Sequence, residues 1–330
     1  MVSLFIGGID MNEKKVIPIF LATDDNYAKI LAVALRSIID NANKKDYFYK
    51  VYILETNLDT KYLDVFNDIV GEYGIVEYVN INEQIDYLKS RLTLRDYYTY
   101  TTYYRIFISE MFKCYDKALY LDCDIVVNGD ISRLYNSYIG DNLVGAIQEE
   151  VMFINDDFFK YAPLNLGVST FRYFNAGVLV MNLKRFRSEK IYNKFVKLIS
   201  ERQYKVAQDQ DYLNVICKGR VRYLPYSWNK TPISVGILCQ RVPNLVHYKL
   251  TLKPWKYNNI KYGGFFWKYA SRTPFYEELL NNRNNYTAEQ KKLDAFHSEH
   301  LHQIIIEENN KALSVLGEDD GRIIQDAIRI

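Results

Sequence analysis

Several familiar signatures are missing from this 330-residue sequence. No apolar run approaches the ~18 residues of a membrane-spanning helix, so none is expected. The G-x-G-x-x-G fingerprint, the G-x-x-x-x-G-K-[ST] phosphate loop and the G-x-S-x-G nucleophile elbow do not occur. That argues against the usual dinucleotide enzymes, the P-loop enzymes and the serine hydrolases. Cysteine is scarce: Cys114, Cys123, Cys217 and Cys239 show neither a disulfide framework nor zinc spacing. A reduced, cytoplasmic setting is therefore expected. Net charge is small as well. With 42 basic and 40 acidic residues it comes to +2, too little to imply a nucleic acid as partner. The first residues carry a short apolar stretch without a basic lead, a poor match to a signal peptide. The lack of an internal repeat disfavours solenoids and propellers.

What is present is ordinary globular material, 48% hydrophobic and 25% charged. Its length allows two domains, or one large α/β domain with an appendage. Apolar runs at Val16–Ala22, Lys50–Leu54, Ile75–Val79, Lys117–Leu121, Leu143–Ile147 and Ala176–Met181 predict strands. Ile30, Ala34 and Ile38 with Leu31 and Leu35 predict a helix from Tyr27, and Leu63, Phe66, Ile69 and Tyr73 predict a second. A third carries Tyr104, Phe107, Ile108 and Met111, and two more cover Lys184–Arg202 and Gln208–Lys218, the last closed by Gly219. Strands alternating with helices imply an α/β fold with a mostly parallel, Rossmann-like central sheet flanked by helices. Segment 149–173 reads as a long irregular connection, a common site of function.

Beyond His247 the composition changes. Residues 253–272 hold five basic side chains (Lys253, Lys256, Lys261, Lys268, Arg272), seven aromatics and no acid. Two readings stand side by side: peripheral docking on an anionic membrane face, or aromatics packed on the core with lysines in solvent. Thr287-Ala-Glu-Gln290 then resembles a capping box opening a helix. The expected organisation is a core domain over 1–255 and a basic, aromatic and helical extension over 256–330.

In an open parallel sheet, ligands bind outside the carboxyl ends of the strands. The residues after each strand therefore come first. Leu119-Tyr-Leu-Asp122-Cys-Asp124 places two carboxylates i, i+2 where a strand ends, and such a pair can share one hard divalent cation. Alone the pattern is weak, since roughly one Asp-x-Asp arises by chance in a chain this long. A second, Asp209-Gln-Asp211, is indeed present. Loop capping explains the first pair about as well; its position at a strand end favours the metal.

Six segments in this order carry a more specific likeness: Phe20-Leu-Ala-Thr-Asp-Asp-Asn-Tyr27, Thr101-Thr-Tyr-Tyr-Arg105, the Asp122/Asp124 segment, Tyr173-Phe-Asn-Ala-Gly177, Gln208-Asp-Gln-Asp211, and His247-Tyr with Lys253-Pro-Trp255. Together they resemble the family 8 retaining glycosyltransferases, the group of bacterial lipopolysaccharide galactosyltransferases and glycogenin. The likeness covers roughly residues 16–255. It implies a GT-A type fold, a UDP-sugar donor and Mn²⁺ held by Asp122, Asp124 and His247. By the same resemblance Ala22, Asp24, Asn26, Tyr27 and Lys253 match nucleotide- and diphosphate-binding positions. Arg105, Asn175 and Ala176 match the donor sugar's surroundings, and Asp209 and Gln210 the residues beneath the reacting carbon. Glu149 aligns with an acceptor-contacting position.

Local roles compete with these. Asn26 could cap the helix that follows, Arg105 could be a surface residue, and Asp209 could serve a helix N-terminus. One departure stands out: the family often has glycine three residues after the metal-site histidine, and here that residue is Leu250. Lys249 is a candidate to compensate. The expected activity is transfer of glucose or galactose to a saccharide, glycolipid or glycoprotein hydroxyl, by same-face substitution because the Gln210 amide is a weak nucleophile. A UDP-sugar hydrolase and a non-catalytic sugar- or nucleotide-binding protein on the same fold are the alternatives. The expected location is cytoplasmic, on or near the inner membrane face.

Overall fold

The computed structural model describes residues 5–6, 9–10, 14–96, 99–233 and 242–315. Cys239, the remaining residues of the N-terminal stretch and residues 316–330 lie outside them. A short antiparallel pair, β1 (Phe5–Ile6) and β2 (Ile9–Asp10), precedes the main sheet. The sheet's seven strands are β3 (Lys15–Ala22), β4 (Tyr47–Glu55), β5 (Gly74–Asn80), β6 (Ala118–Leu121), β8 (Val144–Gln148), β9 (Phe174–Met181) and β10 (Val221–Tyr223). They lie in the order β10-β8-β9-β6-β3-β4-β5. Two strands of three residues, β7 (Ile125–Val127) and β11 (Leu245–His247), pair antiparallel outside it.

Alternate residues of β3 enter different cores: Ile17, Ile19 and Leu21 pack on one face and Phe20 and Ala22 on the other. A strand buried on both sides reads as a continuous apolar run, which is why the central strands are visible in the sequence. The reversal of β9 is not. It pairs antiparallel with both β6 and β8, while the other four neighbouring pairs are parallel. The sheet is thus mostly parallel, and the reversal has a use. The first residues of β9, Phe174 and Asn175, lie opposite Gln148 and Ile147 at the end of β8. One strand's start and its neighbours' ends therefore share an edge.

The helices are α1 (Ala28–Asp40), α2 (Lys61–Val70), α3 (Asn82–Leu88), α4 (Ile108–Met111), α5 (Ile131–Tyr135), α6 (Asp156–Tyr161), α7 (Leu183–Ser188), α8 (Ile191–Glu201), α9 (Asp209–Ile216), α10 (Gly263–Ala270), α11 (Tyr276–Asn284) and α12 (Ala288–Val315). The single helix expected over Lys184–Arg202 is two. Lys190 takes φ 51° at the break, and Arg220 grips Glu189 there through both carboxylate oxygens, at 2.7 and 3.0 Å. The helix expected from Gln208 starts one residue later, because Gln208 has φ 48°. Segment 149–173 is a chain of short helical turns around α6 rather than an irregular loop.

The capping box is formed: Thr287 N–H donates to Gln290 Oε1 at 2.8 Å, and Gln290 N–H to Thr287 Oγ1 at 3.2 Å. In residues 253–272 the aromatics pack inward. Trp255, Phe266 and Tyr269 are buried with Ile30 and Val33 of α1, and Lys253, Lys256 and Arg272 sit in ion pairs. Among the described residues no helix is long and apolar enough to cross a membrane.

Candidate active site

All fourteen residues singled out above as site candidates line one cleft at the carboxyl edge of the sheet. β6 ends at Leu121, and Asp122 begins the turn into β7. Its backbone N–H donates to Gly177 O across β9 at 2.8 Å. Asp124 is joined to His247, more than a hundred residues away in sequence, by the β7–β11 ladder. There His247 lies opposite Ile125, and Tyr248 N–H donates to Asp124 O at 2.8 Å. His247 Nε2 consequently stands 3.1 Å from Asp124 Oδ1 and 3.5 Å from Asp122 Oδ2. Each of the three residues offers an atom within 4.8 Å of the others'. Two carboxylates and an imidazole nitrogen around one point suit a divalent cation of intermediate hardness.

Cations of the protein itself surround the group. Lys253 Nζ pairs with Asp124 Oδ2. Burial alone would raise the Asp124 carboxyl, but Lys253 and His247 hold it well below the usual range. Arg105 is buried, not a surface residue. Its Nη2 reaches Asp122 Oδ1 at 3.0 Å, its Nε lies 3.0 Å from Asp209 Oδ2, and Nη1 donates to Ala176 O. Burial disfavours this guanidinium, yet the facing carboxylate of Asp209 keeps its pKa above the ordinary value. For Asp209 burial outweighs Arg105, and its pKa rises to about 7.

Gln210, on the first turn of α9, points back at the start of β9. Its Oε1 accepts from Ala176 N–H at 3.0 Å and from Asn175 Nδ2 at 3.2 Å, and its Nε2 donates to Tyr173 OH at 3.1 Å. Asn175 Nδ2 also donates to Glu149 Oε2 at 2.8 Å. Burial raises Glu149, but Lys249, paired to Oε1, brings its pKa below the ordinary value. Lys249 is therefore committed to Glu149 rather than free to replace a phosphate contact. Leu250 does occupy a position that favours glycine, with φ 58°. Its side chain packs against the core beside the cleft.

At the other end lie Ala22, Asp24, Asn26 and Tyr27. Asp24, not Asn26, ties the turn before α1: its Oδ1 accepts from Tyr27 N–H at 3.2 Å. The Tyr27 ring meets Trp255 edge-on at 6.2 Å, with Lys253 Nζ 5.7 Å from the tyrosine centroid. An aromatic face beside a fixed cation suits a base carrying a diphosphate.

Four further contributors escaped the sequence reading. Asn229 Oδ1 is 3.0 Å from His247 Nδ1. Tyr120 OH donates to Asp122 Oδ1 at 3.1 Å. Leu301 and Ile305 of α12 wall the cleft. The alternation of β6 could have pointed to Tyr120, whereas Asn229 sits in a loop without local pattern.

A sequence model of the family described as glycosyl transferase family 8 matches residues 18–259. A lipopolysaccharide 1,2-glucosyltransferase of Escherichia coli K12 is 26% identical over 281 residues, 77% of this chain and 78% of the relative. Glycosyltransferase GlyF of Streptococcus pneumoniae is 26% identical over 310 residues, 86% of this chain and 72% of that one. Among solved structures, galactosyltransferase LgtC in complex with donor and acceptor sugar analogues superposes with a TM-score of 0.66 at 26% identity. The match covers 78% of this chain and 96% of LgtC. The bifunctional glycosyltransferase WbbM gives a TM-score of 0.71 at 23% identity over 82% of this chain and 52% of its own, a likeness of fold alone. The architecture is GT-A, and the chain belongs to glycosyl transferase family 8 and is a glycosyltransferase.

Proposed function

We propose that this protein is a metal-dependent, retaining hexosyltransferase that moves glucose or galactose from a UDP-sugar to a hydroxyl of a saccharide, glycolipid or glycoprotein. The observation that carries this reading is the convergence of Asp122, Asp124 and His247 within 4.8 Å beneath Lys253 and Tyr27. Relatives named as glucosyl- and galactosyltransferases support the hexose. The mixed carboxylate and imidazole set fits Mn²⁺. Bound there, the ion would supply positive charge against the departing diphosphate.

The chain's own residues divide the remaining work. Tyr27 offers its face to uracil, with Asp24 accepting from the base and Asn26 and Ala22 beside the ribose. Lys253 brings a point charge to the leaving phosphate. Asn175, Ala176 and Gln210 form a connected polar floor under the sugar. Arg105 holds Asp122 and Asp209 in place from behind rather than reaching outward. Because Gln210 Oε1 already accepts from Ala176 N–H and Asn175 Nδ2, it is poorly placed to attack the sugar. That favours departure and attack on one face, with the leaving phosphate oxygen taking the acceptor's proton. The Glu149–Lys249 pair lies on the acceptor side.

The test is UDP release from UDP-glucose, UDP-galactose and UDP-GlcNAc, with Mn²⁺ or EDTA, with and without saccharide acceptors. Acceptor-stimulated, EDTA-sensitive release from one of the two hexose donors supports the proposal. Release that ignores acceptor would make the protein a UDP-sugar hydrolase, and tight donor binding without turnover a binding protein. A covalent glycosyl-enzyme seen by mass spectrometry would refute the same-face route. The absence of a disulfide at Cys114, Cys123 and Cys217 and the proposed UDP-sugar donor support a cytoplasmic location. Flotation on phosphatidylglycerol vesicles tests whether the basic stretch 253–272 docks on an anionic membrane face.

A further inference from the structure

We infer that Asn229 is a positioning residue for His247: it fixes the tautomer that presents Nε2 to the cation, and it does so as one link of a chain anchored at Glu149. This extends the metal reading above and rests on it. The chain has only one consistent direction. A carboxylate accepts and cannot donate, so Asn175 must turn its Nδ2 to Glu149 Oε2, at 2.8 Å. Asn175 Oδ1 is then left facing the other way, where it accepts from Gly177 N–H at 3.0 Å and from Asn229 Nδ2 at 2.7 Å. Asn229 must therefore offer Oδ1 to His247 Nδ1, 3.0 Å away. An oxygen there requires a proton on Nδ1. With Nδ1 so committed, it is Nε2, 3.1 Å from Asp124 Oδ1 and 3.5 Å from Asp122 Oδ2, that is left to ligate a cation arriving in that corner, as metal-ligating histidines require.

Backbone geometry holds the middle link. Lys230 N–H donates to Leu245 O at 2.9 Å and His247 N–H to Lys230 O at 2.8 Å, which sets Asn229 beside the imidazole. Glu149, Asn175, Asn229 and His247 are all buried, so water has little opportunity to take over any link. The imidazole is thus oriented by a residue on the acceptor side of the cleft, three side chains away.

Two variants separate this from a merely structural role. Asn229→Leu removes the contact to His247. Glu149→Gln does not touch His247, but puts an amide donor where Asn175 needs an acceptor, since Lys249 and Val151 N–H already occupy Oε1. The readouts are the ¹⁵N NMR tautomer signature of His247 in metal-free protein, tractable with only four histidines in the chain, and Mn²⁺ affinity by calorimetry with UDP present.

Wild type is expected to show a proton on Nδ1, held by Asn229 at 3.0 Å, beside an Nε2 that faces Asp124 Oδ1 at 3.1 Å. Both variants should lose the proton on Nδ1 and leave His247 protonated on Nε2 alone, toward Asp124, with Mn²⁺ affinity about tenfold to a hundredfold weaker for Asn229→Leu. An unchanged tautomer in folded Glu149→Gln, or unchanged Mn²⁺ affinity in Asn229→Leu, would overturn the inference. Absence of Mn²⁺ binding by wild type would instead sink the metal reading, while the tautomer measurement still decides the chain.

Discussion

Gly177 shows how little free space there is where Asp122, Asp124 and His247 converge. A Cβ at this position would stand 2.3 Å from Asp122 Oδ2 and 2.4 Å from His247 Cε1. Gly177→Ala must therefore push apart two of the three side chains that converge there. Misplacement of about an ångström costs roughly a hundredfold in rate, and that loss of kcat is expected of the variant, with a clear drop in Mn²⁺ affinity by calorimetry. Lys253 gives a second residue-level prediction. Lys253→Met roughly keeps the length of the side chain, removes its ion pair with Asp124, and removes the charge proposed to meet the leaving phosphate. Its kcat with the preferred donor should fall by about 10²-fold, measured as acceptor-stimulated UDP release. At this scale the sequence spoke partly through residue type: Asp122 and Asp124 end a strand, where loop capping competes with a cation, and His247 could be named only from the ordered segments and their resemblance to a family. Asn229 could not, because an asparagine in a loop carries no local mark of the histidine that folding brings to it.

The first turn of α9 depends on a buried acid that no substrate needs to touch. Asp211 accepts from Tyr173 OH at 2.6 Å, Tyr161 OH at 2.8 Å and Ala207 N–H at 2.9 Å. Burial nevertheless dominates these donors and raises its pKa from 3.8 to about 6. A folded-state value above the unfolded one means that the folded protein binds the proton more tightly. The stability this confers is complete below about pH 4 and is lost as pH rises through about 6. Asp211→Asn should therefore remove a stability decline on the order of 2 kcal/mol between those limits, read from urea unfolding of variant and wild type at each pH. α12 gives a packing prediction. Ile305 is fully buried at the wall of the cleft, so Ile305→Ala should cost about 2–4 kcal/mol in the same assay. Elements as such were legible where both faces are buried, as in β3 and β4, because the apolar run is unbroken there. The break at Lys190 was not, since the Arg220–Glu189 pair that holds the corner joins distant segments. Nor were β7, β10 and β11, whose three residues are too few to carry a period.

Across the whole molecule, the cleft is a product of topology. The reversed strand β9 brings its opening residues to the carboxyl ends of β6 and β8, and the β7–β11 ladder delivers His247 to Asp124. Neither event leaves a trace in local composition, which is why fold class could be read from periodicity while the assembled site needed six ordered segments and their resemblance to a family. The C-terminal helices complete the same body: α10 covers α1, and α12 packs on α6 and closes the cleft wall. The most direct test is an anomalous difference map from crystals grown with Mn²⁺ and UDP. The account predicts one strong peak per chain, at bonding distance (about 2.0–2.3 Å) from Asp122, Asp124 and His247 and in contact with the diphosphate. A diphosphate bound in the cleft with no peak there, or a peak held by other side chains, would contradict it.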